Sequence, residues 1–139
     1  MEKVEEILKL LIVDSCAQTR QLFKEQFLDE SVKILEASDG SDGWEIFKET
    51  FPHVVVSEID LPNLNGYQLA RKISSICSEQ GRSTLSISFS TKDEGCDPYW
   101  AIKNGFAVVV SKRNEGIDKL KEVINNFFLR KICSEIKEQ

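Results

Sequence analysis

Apolar residues along the chain follow two patterns, short unbroken runs and longer segments with a helical period. Runs rich in Val, Ile and Leu and bounded by turn residues are typical of strands buried on both faces of a sheet. Segments in which apolar residues recur every three or four positions are typical of amphipathic helices. The runs predict strands at 9–15, 31–38, 53–58, 84–90 and 106–112, and the periodic segments predict helices at 17–30, 42–51, 66–79, 97–105 and 116–136.

Turn residues support several of these boundaries. Pro52 is expected to end the second helix, because proline lacks a backbone donor and clashes inside a helix. Pro98 suits the first turn of the fourth helix, and Gly105 suits its end. Strand and helix therefore alternate five times, which predicts an α/β fold with a parallel sheet, right-handed connections and helices on both faces.

Polar side chains follow the predicted strands at the edge where such sheets gather their ligand chemistry. Carboxylates close together favour a hard divalent cation such as Mg²⁺, whereas a lysine and a hydroxyl facing them suit phosphoryl oxygens. One such residue alone is ordinarily a solvated strand end, but the whole set indicates a site. Its members are Asp14 and Ser15 after the first strand, Glu58 and Asp60 after the third, Ser90 and Thr91 at the end of the fourth, and Lys112 at the end of the fifth.

Composition limits the classes of function. The 139 residues suit one domain, 1–139, and the net charge of −5 argues against direct binding to nucleic acid, which favours a basic surface. No apolar run reaches the roughly 18 residues that a membrane span needs, so we expect no membrane contact. The N-terminal "MEKVEEILKL" is acidic and amphipathic, unlike a secretory signal, and we expect a cytoplasmic protein.

The four cysteines, Cys16, Cys77, Cys96 and Cys133, form no C-x-x-C pair, and His53 is the single histidine. This pattern argues against a zinc site. Without an export signal, a disulfide framework is not expected either. We therefore expect the cysteines to be small buried or half-buried residues.

Five motifs, in order, resemble those of the response-regulator receiver domain, the family of the chemotaxis regulator that accepts phosphate from histidine kinases. They are "LLIVDS", "LEASDG", "PHVVVSEIDLPNLNG", "SFST" and "AIKNGFAVVVSK", and the resemblance covers residues 9 to about 130. Ser90 and Lys112 are 22 positions apart (112 minus 90), a spacing usual in that family. The resemblance implies a flavodoxin-like, doubly wound sheet of five parallel strands in the order 2-1-3-4-5 with five helices. It also implies a non-enzymatic domain of a two-component or phosphorelay system, whose partners are a histidine kinase, a phosphotransfer protein or an output domain.

Three positions near the acceptor depart from the family pattern. The family's acceptor aspartate stands four positions before the loop proline, and that position, counted from Pro62, holds Glu58. Asp60 falls where the family uses a backbone carbonyl as a metal ligand. Ser15 replaces one carboxylate of the acidic pair that follows the first strand.

Of the remaining site positions, two match the family pattern and two depart from it. Ser90 and Lys112 match the hydroxyl and the lysine of the family, whereas Val109 stands at the aromatic switch position and Arg113 replaces the proline after the lysine. We therefore expect a degenerate acceptor site made of Glu58, Ser90 and Lys112, with impaired or absent phosphate chemistry.

The longer acceptor side chain has physical consequences. One extra methylene moves the carboxylate forward by about 1 Å, and a misplacement of that size lowers a rate on the order of 100-fold. Ser15 removes a negative charge beside the cation, so Asp14, Glu58 and Asp60 are expected to bind Mg²⁺ only weakly. We expect Glu58 to contact Lys112 directly. Whether that pair only neutralises the crevice or imitates the phosphorylated state stays open at this point.

Two other functions remain as alternatives. The first is a phosphorylatable receiver that uses Glu58, or Asp60 after a local shift. The second is a flavodoxin-like redox protein, although "DSCAQTR" after the first strand lacks the glycine of a phosphate-binding loop. The same stretch excludes a P-loop enzyme.

The resemblance also implies a partner face built from the fourth helix, the fifth strand and the fifth helix. Exposed aromatic side chains on that face would be binding hot spots. Trp100 is either such a residue or an ordinary core residue. The face would present Tyr99, Trp100, Lys103, Val109 and Arg113.

Overall fold

The computed structural model describes residues 7–29, 31–91, 98–113 and 115–137, with side chains described as far as residue 131. The described residues form a five-stranded parallel sheet with helices between the strands, in the order β2-β1-β3-β4-β5. The predicted fold, strand order and number of elements are therefore confirmed. The strands are β1 (Leu8–Val13), β2 (Val32–Ala37), β3 (Val54–Ser57), β4 (Leu85–Ser90) and β5 (Val108–Ser111); the helices are α1 (Ala17–Glu25), α2 (Gly40–Thr50), α3 (Gly66–Gln80), α4 (Pro98–Lys103) and α5 (Gly116–Lys137).

The sheet is buried on both faces, which explains the unbroken apolar runs of its central strands. Along β1, Leu10 and Ile12 pack in one core cluster while Leu11 and Val13 pack in the other, and all four are fully buried. The first cluster includes residues of α1 and α5, and the second includes residues of α2 and α3. Among the described helices, none is both long enough and apolar enough to cross a membrane.

Several elements are shorter than predicted, most clearly helix α1 and strand β5. Helix α1 ends at Glu25 instead of residue 30 because its last turn tightens, with the Gln26 N–H donating to the carbonyl of Phe23. The Asp29 carboxylate then accepts hydrogen bonds from the N–H and the hydroxyl of Ser31, and this turn leads into β2. Strand β5 begins at Val108, since the preceding residues close the turn after α4.

Helix α2 begins two residues earlier than predicted. The Asp39 carboxylate caps it by accepting from the Asp42 N–H at 2.8 Å. Gly40 lies so close to the loop after β3 that a Cβ there would stand 1.7 Å from the Leu64 carbonyl oxygen. Only glycine permits this approach, which holds the loop beside the carboxyl edge of the sheet.

The structure confirms two predicted helix stops, but it does not confirm the burial expected of every cysteine. Helix α2 ends at Thr50, before Pro52, and Gly105 follows α4 with a φ of 109°, so both predicted stops are confirmed. Cys77 is buried, but Cys16 is exposed, so the burial expected of Cys16 is wrong. Cys16 directly precedes α1, in the polar turn after β1. Cys96 and the side chain of Cys133 lie outside the described residues.

Candidate functional site

The predicted site residues lie where β1, β3, β4 and β5 end. Asp14 follows β1, Glu58 follows β3, Ser90 ends β4 and Lys112 follows β5, and the first three are buried. Backbone hydrogen bonds continue past the strand ends, from the Glu58 N–H to the Val13 carbonyl and from the Lys112 N–H to the Ser90 carbonyl, each at 3.0 Å. The backbone of these residues is therefore part of the rigid sheet.

The Lys112 ammonium bridges two buried carboxylates. Its Nζ lies 2.6 Å from Asp14 Oδ2 and 2.7 Å from Glu58 Oε2. The predicted contact between Glu58 and Lys112 is present, whereas the contribution of Asp14 to it was not foreseen. Charge-assisted hydrogen bonds of this length are among the stronger polar contacts in proteins.

The second oxygen of each carboxylate also has a partner. Glu58 Oε1 accepts a hydrogen bond from the backbone N–H of Ile59 at 2.8 Å. Asp14 Oδ1 accepts one from the backbone N–H of Cys16 at 2.9 Å. All four carboxylate oxygens are thus engaged within the chain.

Two opposing effects act on Lys112. Its burial disfavours the charged ammonium and by itself would lower the pKa. Hydrogen bonds to Asp14 and Glu58 outweigh that burial, and the pKa of Lys112 is raised above the ordinary lysine value. The lysine is therefore a permanent cation at neutral pH.

The start of α3 holds the acceptor backbone in place. The Gly66 N–H donates to the Ile59 carbonyl at 2.8 Å, and a Cβ on Gly66 would stand 2.4 Å from the Glu58 carbonyl oxygen. Glycine at this position lets the helix start press directly on the strand end. Asp60, in the same loop, is exposed, unlike Asp14 and Glu58.

The three carboxylates predicted to hold Mg²⁺ are not assembled as a metal group. Within the part of the chain that the structure describes, no cluster of three or more His, Cys, Asp or Glu side chains has the geometry to hold a metal ion. Asp14 and Glu58 converge, but on the lysine, while Asp60 lies in the exposed part of the loop. Weak Mg²⁺ binding by these residues stays a prediction.

An ion network that was not predicted supports the end of β1. The Arg20 guanidinium donates to the Asp14 carbonyl oxygen at 2.6 Å and pairs with Glu36 on β2 at 2.9 Å. Lys24, one turn further along α1, pairs with Glu36 at 2.7 Å. Two basic residues spaced by four lie on the same side of a helix and repel each other, and a shared acidic partner such as Glu36 offsets that repulsion.

Four of the five residues of the predicted partner face are exposed. Tyr99 is 69% exposed and Trp100 is 48% exposed, so Trp100 is not an ordinary core residue. The Lys103 ammonium lies 5.7 Å from the centre of the Trp100 ring, within reach of a cation–π contact. Val109 is half-buried and Arg113 is exposed.

Comparisons with known proteins show the fold and the family of this chain. Protein PilH of Pseudomonas aeruginosa is 26% identical over 97 residues, which cover 70% of this chain and 78% of that protein. A receiver domain from Clostridium thermocellum matches 91% of this chain and 98% of its own with a TM-score of 0.75 and 24% identity. The receiver domain of Ssk1, solved with the histidine phosphotransfer protein Ypd1 of Saccharomyces cerevisiae, matches 80% of this chain and 82% of its own, with a TM-score of 0.69 and 18% identity.

Several other curated relatives are much longer, and the chain spans only 14% to 34% of their length. None of these similarities supports the redox alternative. The family model of the response regulator receiver domain matches residues 10–125, a span that includes the strand ends carrying Asp14, Glu58, Ser90 and Lys112. The chain therefore belongs to the response regulator receiver family, the signalling modules of two-component systems.

Proposed function

We propose that this chain is a receiver domain that takes no phosphoryl group and signals through protein contacts in one constant state. The observation that carries the proposal is the double engagement of Glu58, whose two carboxylate oxygens are held by Lys112 and by the Ile59 N–H. This geometry agrees best with a degenerate acceptor site, made of Glu58, Ser90 and Lys112, that no longer accepts a phosphoryl group.

Phosphoryl transfer to a carboxylate needs an oxygen lone pair that points in line at the donor, with cations around the moving charge. Glu58 Oε2 faces the Lys112 ammonium at 2.7 Å, so one of its lone pairs is directed at the lysine and not at a donor. The lysine that would stabilise an incoming phosphoryl group is likewise occupied. The Glu58 carboxylate and the Lys112 ammonium are therefore bound to each other.

Neutralisation of the crevice explains the geometry better than imitation of a phosphorylated state. An imitation needs an added negative charge, yet Lys112 already offsets one of the two formal charges of Asp14 and Glu58. It also needs a side chain that changes position in response. Val109 has no aromatic ring and lies half-buried against the small core cluster that contains Phe106.

Receiver domains in general bind Mg²⁺ at the phosphorylation site. The residues of this chain fit the ion poorly, because Asp14 and Glu58 converge on Lys112 while Asp60 lies in the exposed part of the loop. Ser15, which follows Asp14, supplies no negative charge. We therefore propose that Mg²⁺ binds only weakly, with a midpoint above roughly 0.1 mM, on the scale of loose oxygen-ligand sites.

The partners that we propose are proteins, not nucleic acids or membranes. Receiver domains interact with kinases, phosphotransfer proteins and output domains, and the Ssk1 receiver was solved bound to Ypd1. In this chain Tyr99 and Trp100 offer large exposed aromatic surface on α4, the type of side chain that dominates binding energy in interfaces. We propose a non-enzymatic, cytoplasmic protein that binds through this face.

The test is intact-mass spectrometry after incubation with acetyl phosphate and Mg²⁺. The proposal expects no adduct of about 80 Da, the mass of a phosphoryl group, under conditions that label a receiver with an aspartate acceptor. An adduct that maps to Glu58 or Asp60 would instead establish the alternative, a working phosphoacceptor. Glu58→Gln serves as the matched control, since it keeps the size of the side chain and removes the nucleophile.

A further inference from the structure

We propose that the outer edge of β2 is a second contact surface, through which two copies of this chain pair antiparallel, edge to edge. Strand β2 is an edge strand of the described sheet, in which it pairs only with β1. An edge strand presents backbone donors and acceptors that a further strand can use. Because β5 forms the opposite edge of the sheet, this surface is separate from the face of α4 and β5.

The backbone of β2 directs alternate residues to its outer edge. The Ala37 carbonyl accepts a hydrogen bond from the Asp14 N–H at 3.0 Å, so the backbone of Ala37 faces β1. Backbone polar groups alternate in direction along a strand. The even-numbered residues of β2, which are Val32, Ile34 and Glu36, therefore direct their N–H and C=O groups outward.

These outward groups select one register for a second copy. The Val32 N–H already donates to the Asp29 carbonyl at 3.0 Å, in the turn before β2. Ile34 and Glu36 thus offer both a donor and an acceptor at the edge of the described sheet. An antiparallel pair satisfies them fully when Ile34 of each copy opposes Glu36 of the other and exchanges both backbone hydrogen bonds with it. The two-fold axis then passes between Leu35 and Leu35 of the second copy.

On the α2 side of the sheet, this register brings opposite charges together. Lys33 shares that side with Leu35 and Ala37, which pack in the core cluster to which α2 contributes. The exposed Lys33 would lie opposite Ala37 of the second copy. A cleft of about 340 Å³ opens beside Ala37, and the residues that α2 contributes to its lining are Asp42, Glu45, Ile46 and Glu49. Each copy would therefore place a lysine at the acidic cleft of the other.

The α1 side repeats the charge match with an apolar contact beside it. Glu36 of the second copy would oppose Ile34, which lines a groove of about 410 Å³ together with Lys24, Phe27 and Leu28. Lys24 would gain a second acidic neighbour, and Leu28, which is 85% exposed, would lose contact with water. The charges along the edge are thus self-complementary, which favours a second copy over an unrelated peptide as the occupant.

Sedimentation equilibrium of the natural chain measures the association. We expect a reversible dimer with a dissociation constant below roughly 0.5 mM, in the range of weak, small interfaces. A chain that stays monomeric up to that concentration would overturn the proposal. So would a monomer that instead binds a lysine-rich extended peptide, because the occupant would then be a different one.

Charge variants locate the contact. Lys33→Glu should weaken the dimer at least about tenfold, because it sets a carboxylate against the acidic cleft. Addition of Glu45→Lys to that variant should restore part of the affinity. Lys103→Glu makes the same change of net charge on the exposed surface of α4 and should leave the dimer unchanged. A dimer that responds to Lys103→Glu and not to Lys33→Glu would lie on the other face and overturn the proposal.

A backbone variant tests the edge itself. Ile34→Pro removes an outward N–H and leaves the hydrogen bonds to β1 in place, so it should abolish the dimer. Ile34→Ala loses most of the side chain but keeps that N–H, and it should still dimerise. If Ile34→Pro retains the dimer, the edge of β2 is not the contact.

Cysteine cross-linking tests the register and does not depend on whether the proline variant folds. Leu35→Cys should form a disulfide-linked dimer on mild oxidation, because the two Cα atoms would lie about 4.5 Å apart across the axis. Ser38→Cys, whose Cα atoms would lie roughly 20 Å apart, should not cross-link above the level of the natural chain. Cross-linking through Ser38→Cys and not through Leu35→Cys would contradict the antiparallel pairing.

Discussion

The Nζ atom of Lys112 lies 2.7 Å from Glu58 Oε2, although the residues are 54 positions apart and stand on strands that are not neighbours. The lysine, which follows β5, must extend past the end of β4 to reach a glutamate that follows β3. On the way its ammonium comes within 5.6 Å of the centre of the Phe89 ring. The contact therefore ties together the carboxyl edge of three adjacent strands.

Lys112→Met should destabilise the fold markedly. Removal of one member of a buried ion pair leaves uncompensated charge, which costs about 3 kcal/mol or more in the free energy of unfolding. Chemical denaturation monitored by circular dichroism measures the change. Lys103→Met, at an exposed position, is the matched control and should change the free energy of unfolding by less than about 0.5 kcal/mol. A loss below about 1 kcal/mol for Lys112→Met would contradict the importance of the bridge.

Glu58→Asp should reopen the acceptor position in part. The shorter side chain loosens the contact with Lys112, so its carboxylate becomes available to a phosphodonor, but Ser15 still leaves the metal site short of a carboxylate. We expect a small phosphorylated fraction in Glu58→Asp and a larger one when Ser15→Asp is added, measured by intact mass with acetyl phosphate and Mg²⁺. If both variants stay as unreactive as Glu58→Gln, the side-chain length is not what blocks the chemistry.

Trp100→Ala should leave the fold nearly intact. The side chain is about half exposed, so its truncation should change the free energy of unfolding by no more than about 1 kcal/mol. Phe106→Ala is the control, because Phe106 is buried and its truncation should cost about 3 to 5 kcal/mol. Comparable losses in the two variants would mean that Trp100 belongs to the core rather than to a partner face.

Glu36→Gln should remove a small, pH-dependent contribution to stability. Hydrogen bonds from Lys24 and then Arg20 hold the pKa of Glu36 below its ordinary value. A carboxylate with a lowered folded-state pKa stabilises the fold above its ordinary pKa, about 4.3, and loses that contribution as the pH falls through the lower value. Because the side chain is 39% exposed, solvent screening limits the contribution to roughly 1 kcal/mol or less.

The measurement for Glu36 is the difference in unfolding free energy between the natural chain and Glu36→Gln along a pH series. The difference should be constant from neutral pH down to about 5 and should shrink toward lower pH. Glu79→Gln, on the exposed side of α3, controls for a simple loss of charge. A difference that grows on acidification would contradict the assignment.

Part of the site follows from the sequence, because strand ends of a parallel sheet share one edge. The alternation of elements predicted the parallel sheet, and the resemblance to receiver domains implied its strand order and placed Glu58 and Lys112 in one crevice, where their contact was expected. The role of Asp14 was missed. Sequence reasoning assigned this carboxylate to a metal ion, since the distance a lysine spans across strand ends is not encoded in any spacing.

Local geometry and tertiary packing account for the other features of the structure that were not predicted from the sequence. The hydrogen bond from the Ile59 N–H to Glu58 Oε1 depends on a side-chain rotation that the sequence does not specify. Helix α1 ends early because its last turn tightens at Gln26 and the Asp29 turn follows, although the apolar Phe27 continues the helical pattern in the sequence. Tertiary packing alone decides that Trp100 faces solvent while Phe106 is buried.

The central claim is that Lys112 bridges the carboxylates of Asp14 and Glu58 and neutralises the crevice between them. Its most direct test is a crystal structure of the natural chain grown with excess Mg²⁺. We expect Lys112 Nζ to remain within hydrogen-bond distance of both Asp14 Oδ2 and Glu58 Oε2, close to the 2.6 and 2.7 Å described above, with no metal ion between the carboxylates. A structure in which Glu58 turns away from Lys112, or in which Mg²⁺ binds the two carboxylates and displaces the lysine, would contradict the central claim.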